Sequence, residues 1–176
     1  MNKLILTTAM LSSFGVASAS AHATLERQEA AVGGGYKAVV RISHGCDGKP
    51  TTTVRVKIPE GVVSAKPMPK PGWTLEKVRA SYAKTYEFYG HPISEGITEV
   101  TWSGGSLADD EYDEFVFSAF LTTDLPVGEV LYFPVVQECP DGAAERWIEI
   151  PAEGEEGRDL DKPAPGLKLL EKTGGH

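Results

Sequence analysis

Apolar residues along this chain recur at every second position, and only in short runs. Val54, Val56 and Ile58 alternate with Thr53, Arg55 and Lys57, the period of a strand with one buried and one wet face. Tyr36, Ala38, Val40 and Ile42 repeat it against Lys37 and Arg41, and Phe115, Phe117, Ala119 and Leu121 form a third such face. The pattern predicts strands over 36–42, 51–59 and 115–121, with others over 73–78, 83–89, 97–102, 130–136 and 146–150. Turn residues fill 33–35, 43–50, 59–61, 104–105 and 138–142. Pro67, Pro69 and Pro71 cannot join a central ladder, so 66–73 reads as edge or loop, and Pro134 marks an edge or a bulge.

The join between 73–78 and 83–89 falls near Arg79 to Tyr82. From Pro151 onward Glu, Gly, Pro and Lys dominate, with a short apolar patch at 167–170, and 152–176 reads as a C-terminal tail. No stretch carries a 3.6-residue period, and no internal repeat is visible. Eight or nine short strands separated by turns predict an all-β fold: one antiparallel β-sandwich, immunoglobulin/cupredoxin-like, over 22–151.

The start of the chain is of another kind. Lys3, an apolar run over 4–16 and the small residues 17–21 read as a cleaved secretory signal. The run is too short and too interrupted by Thr and Ser to span a bilayer, and no later stretch is longer. The expected product is soluble, periplasmic or secreted, with no membrane anchor in this chain. About 155 residues then remain, enough for one domain with a core. The net charge is −8, and −9 without Lys3, which argues against nucleic-acid partners. In an exported chain, Cys46 and Cys139 are expected to pair. The disulfide would close a loop of about 94 residues, worth about 4–5 kcal/mol of chain entropy.

Candidate chemistry centres on the signal junction. The small-residue rule allows cuts after Ala19, Ala21 or Ala23. A cut after Ala21 makes His22 the first residue, whose α-amine and imidazole can chelate a metal. A cut after Ala19 leaves His22 third, where amine, amides and imidazole can also hold Cu(II), an ion that favours nitrogen ligands. A cut after Ala23 removes it. His44 and His91 read as polar loop residues, and the histidines show no paired metal spacing. With both cysteines paired and Met68 the only methionine past the signal, thiolate and thioether copper sites are excluded. The run 109–114 supplies carboxylates, either as a solvated loop or as a weak Ca²⁺ site using Asp109, Asp110 and Asp113. No nucleophile elbow or phosphate loop is present.

Taken in order, His22-Ala-Thr-Leu, Ser43-His-Gly-Cys-Asp-Gly, Lys66-Pro-Met-Pro-Lys-Pro-Gly-Trp73, Trp102-Ser-Gly-Gly, Tyr112-Asp-Glu-Phe and Val136-Gln-Glu-Cys resemble the YcnI-like family of exported bacterial copper-binding domains. The resemblance implies a β-sandwich serving copper trafficking or homeostasis. It also implies one Cu(II) held by the amine and imidazole of His22, a monohistidine brace. It assigns a glutamate ligand to Glu114, with Asp113 and Glu26 as alternatives, and a tryptophan against the metal to Trp147, with Trp102 as the alternative. A copper-handling membrane transporter or a periplasmic copper protein is the implied partner, and no catalytic turnover is expected. Two other readings are a copper-dependent oxidase and a metal-free β-sandwich interaction module.

Overall fold

The alternating residues of 36–42 and 115–121 face one shared interior. In the computed structural model, which describes residues 22–152 and 160–172, β3 (Gly34–Ile42) pairs antiparallel with β8 (Asp113–Leu121). Val40 stands opposite Phe115 and Ala38 opposite Phe117, and all four side chains are buried. β1 (Thr24–Leu25) flanks β3, and β5 (Val62–Pro67) flanks β8, completing a four-stranded sheet. Pro67 lies on that edge strand, where a missing N–H leaves no gap in a ladder.

The facing sheet is built on β4 (Thr51–Lys57), whose Val54 and Val56 are fully buried. On one side β4 pairs with β10 (Val135–Glu138), which pairs with β11 (Ala144–Trp147). On the other it pairs with β7 (His91–Leu107), which pairs with β6 (Thr74–Phe88). Aliphatic and aromatic side chains from both sheets, among them Trp102, Phe115, Phe117 and Phe133, form one core. The fold is thus a single β-sandwich with almost wholly antiparallel pairing. Among the described residues the only helical segment is a 3₁₀ turn over Pro140–Gly142.

Three elements differ from the sequence pattern. The join expected near Arg79 to Tyr82 is a register irregularity inside the long strand β6. The chain instead reverses at Tyr89 and Gly90, both at positive φ (49° and 80°), between the paired residues Phe88 and His91. Positive φ at both central residues matches the right-handed twist of a hairpin. The distal hairpin carries its own aromatic cluster, in which Tyr82, Tyr86 and Phe88 pack with Phe120.

Pro134 sits between β9 (Val130–Tyr132) and β10, where the chain leaves one sheet and enters another. The third difference is the expected tail. Gly166–Leu170 form β12, which pairs with β9 and, in parallel, with β2 (Glu29–Ala31). Leu167 and Leu169 are buried while Lys168 is exposed, so the strand alternates over only five residues. The domain therefore runs past Pro151 to Leu170. The signal segment, its cleavage region and His176 lie outside the described residues.

Candidate metal centre

The loop over 43–50 leaves β3 after Ile42 and enters β4 at Thr51. Its tip is a tight turn. Asp47 and Gly48 have positive φ (51° and 80°), and Cys46 and Lys49 exchange backbone hydrogen bonds of 2.9 and 3.1 Å. The expected disulfide joins Cys46 to Cys139, with Cα atoms 6.1 Å apart, a separation suited to a bridge. Gly45 is held from below, where a Cβ would come within 1.8 Å of the Lys49 carbonyl oxygen. Its N–H donates to Asp109 Oδ1 at 2.9 Å. The acidic run thus supplies a brace for this loop.

The buried side chain of Gln137 on β10 ties the same loop to Trp147. Its Nε2 donates to the His44 carbonyl at 2.6 Å and to Thr51 Oγ1 at 2.7 Å, and its Oε1 accepts from Trp147 Nε1 at 3.2 Å. A buried amide with both ends bonded fixes its neighbours, because breaking any one bond strands a polar group away from water. The indole of Trp147, itself buried, is therefore oriented from its nitrogen edge.

Two histidines meet that indole. The His22 ring centroid lies 5.5 Å from that of Trp147 at 65°, and the His44 centroid lies 6.0 Å away at 85°. Both imidazoles are half-buried. His44 Nδ1–H donates to the Gly45 carbonyl at 2.5 Å. His22 lines an open groove of about 680 Å³ with Gln28, Tyr132, Pro163 and Lys168 among its walls. His44 and Trp147 line a second pocket of about 420 Å³ with Asp47, Asp109, Glu145 and Lys162.

Glu114 lies elsewhere on the sheet. It stands opposite Arg41, which stands opposite Thr24. Its carboxylate accepts from the Tyr112 hydroxyl at 2.9 Å and is 3.9 Å from Arg41 Nε. That hydrogen bond raises the Tyr112 pKa above the ordinary phenol value. Glu114 lines neither the His22 groove nor the Trp147 pocket.

The alternatives fare similarly. Asp113 is paired with Lys70 at 2.6 Å, and Glu26 is exposed. Trp102 is a core residue whose Nε1 donates to the Met68 carbonyl at 3.0 Å. His91 is exposed at the hairpin turn.

The structure therefore brings His22 and Trp147 together and leaves Glu114 with Arg41 and Tyr112. It adds His44, which its loop sequence alone does not distinguish from any polar turn residue. Among the described residues, no group of three or more His, Cys, Asp or Glu side chains is gathered to hold a metal. Two imidazoles are what this end of the sandwich offers, and nitrogen donors of that kind suit Cu(II).

Sheet order and core define an immunoglobulin-like β-sandwich. A solved protein from Nocardia farcinica, described as uncharacterized and as having an immunoglobulin-like fold, matches with a TM-score of 0.63 and 26% identity. The match covers 85% of this chain and 98% of that one. No curated protein matches. Residues 22–169 match the family described as a domain of unknown function, DUF1775, and the chain belongs to that family. YcnI-like proteins are among its members. The matched segment begins at His22 and takes in most of β12.

Proposed function

We propose that the chain is exported, cut after Ala21, and binds one Cu(II) through the α-amine and imidazole of His22. The ion is cargo. On this reading the protein is a periplasmic copper-trafficking or homeostasis module, without catalytic turnover, that passes copper to a membrane transporter or a periplasmic copper protein. The observation that carries the reading is the edge-on contact of His22 with the buried indole of Trp147. The residue that processing would make first is thereby seated in the fold.

Several features support it. The family segment starts at His22, the residue that a cut after Ala21 would make first. Ala23 and Leu25 are buried and β1 is paired to β3, so the residues following His22 are anchored. A chelating terminus fixed in this way loses less conformational freedom when it closes on a metal.

The test compares Cu(II) affinity of protein beginning at His22 with protein carrying one extra N-terminal Met. The extra residue converts the amine to an amide. Affinity should fall by more than the roughly 10–100-fold that loss of a supporting outer-shell partner costs. Equal affinity in the two proteins would exclude the brace.

A further inference from the structure

His44 is the residue on which the site has more to say. Its imidazole packs on the same indole as His22. Its loop is held by the Cys46–Cys139 disulfide, by Asp109 on the Gly45 N–H, and by Gln137 and Thr51 on the His44 carbonyl. Such tethering exceeds what a solvated turn requires. It is the support that a metal-ligating side chain needs to be held in place. The donation of Nδ1–H to a backbone carbonyl sets the tautomer in which Nε2 is the donor atom, a common arrangement for ligating histidine.

We propose that His44 Nε2 is the second imidazole ligand of the copper held by His22, so that the brace contains two histidines. The inference rests on the proposed function of His22 and deepens it. The absence of three gathered acidic, thiol or imidazole groups among the described residues then has a chemical meaning. One of the three nitrogens is the α-amine, which the full chain holds as an amide until the signal is removed. The ligand set is His22 amine, His22 imidazole and His44 imidazole. Trp147 is the shared wall on which both rings rest, and Gln137 holds that wall in register with the His44 loop. The predicted glutamate is not needed to complete three donors.

The experiment uses exported protein whose N-terminus is verified as His22, loaded with one equivalent of Cu(II). Pulsed electron paramagnetic resonance counts coordinated imidazoles through their remote nitrogens, and competition titration gives affinity. Two imidazoles are expected in the wild type and one in H44Q, with affinity at least about 10-fold weaker. H91Q, altered at the exposed hairpin, should match the wild type in both readouts. One imidazole in the wild type, or an H44Q spectrum unchanged from it, overturns the role of His44 while leaving the His22 brace standing. Failure of the wild type to bind stoichiometric Cu(II) overturns the brace itself, and the present inference with it. The wild-type imidazole count stands whether or not H44Q folds.

Discussion

The His44 loop and the Glu114 corner are the two regions that could complete a site with His22, and they are built on opposite principles. Glu114 is half-exposed, and its charge is already met by Arg41 and Tyr112. His44 has its backbone bound by buried partners and its Nδ1–H directed to a neighbouring carbonyl. A side chain whose charge is answered by its neighbours stabilises the fold locally. One whose backbone is fixed by buried hydrogen bonds is held in a set position, as a ligating side chain needs to be. On the reading proposed above, the tethered loop, rather than the charged strand, is the binding element.

The contrast can be broken at several points. Replacing Cys46 and Cys139 by Ser should have the largest effect on stability. It should cost about 2–5 kcal/mol, read as a lowered denaturation midpoint, and it should also weaken copper binding by loosening the His44 loop. A double variant with full stability would mean that the loop is held by its hydrogen bonds alone.

Gln137→Leu should come next. It deprives the Trp147 indole N–H of its buried acceptor and the His44 carbonyl of one of its two donors, Thr51 remaining, at about 1–3 kcal/mol for the indole group left unsatisfied. Urea unfolding measures the cost. The imidazole count on copper should stay at two, because Gln137 positions the site and does not bind the metal.

The smallest effect belongs to Glu114→Gln. The ion pair with Arg41 is long and more than a third exposed on both sides, so stability should change by no more than about 1 kcal/mol. The Tyr112 phenol should titrate at lower pH in that variant, since the carboxylate that raises it is gone. Absorbance titration of the phenol checks this. A large loss of copper affinity in Glu114→Gln would restore the glutamate to the ligand set and undo the contrast.

The parts legible in the sequence are those where local pattern and tertiary role agree. The two-residue period of β3, β4 and β8 marks their buried faces directly, and the alternate prolines of 66–73 mark an edge. Pro134 shows a break, though not that the break is a change of sheet. The hairpin turn at Tyr89 was hidden because Tyr is uncommon at positive φ. β12 was hidden by its length, since one exposed Lys between two buried Leu is weak against a Pro- and Glu-rich background.

The site divides in the same way. His22 stood out because a signal sequence runs into it. His44 did not, because what distinguishes it is an indole about a hundred residues further along the chain, and no short-range spacing encodes that. Trp147 was distinguished from Trp102 by resemblance alone, whereas their surroundings differ plainly once the fold is seen.

The parallel pairing of β2 with β12 has a kinetic consequence. Near-first and near-last segments of the domain are hydrogen-bonded neighbours, with Ala30 opposite Leu169. That contact is among the most distant in sequence that the described residues make, and it cannot form until β12 has emerged. Folding dominated by such distant pairings is expected on the millisecond-to-second scale. Because Gly166 and Lys168 of β12 also wall the groove beside His22, the His22 end of the sandwich is completed only when β12 is in place.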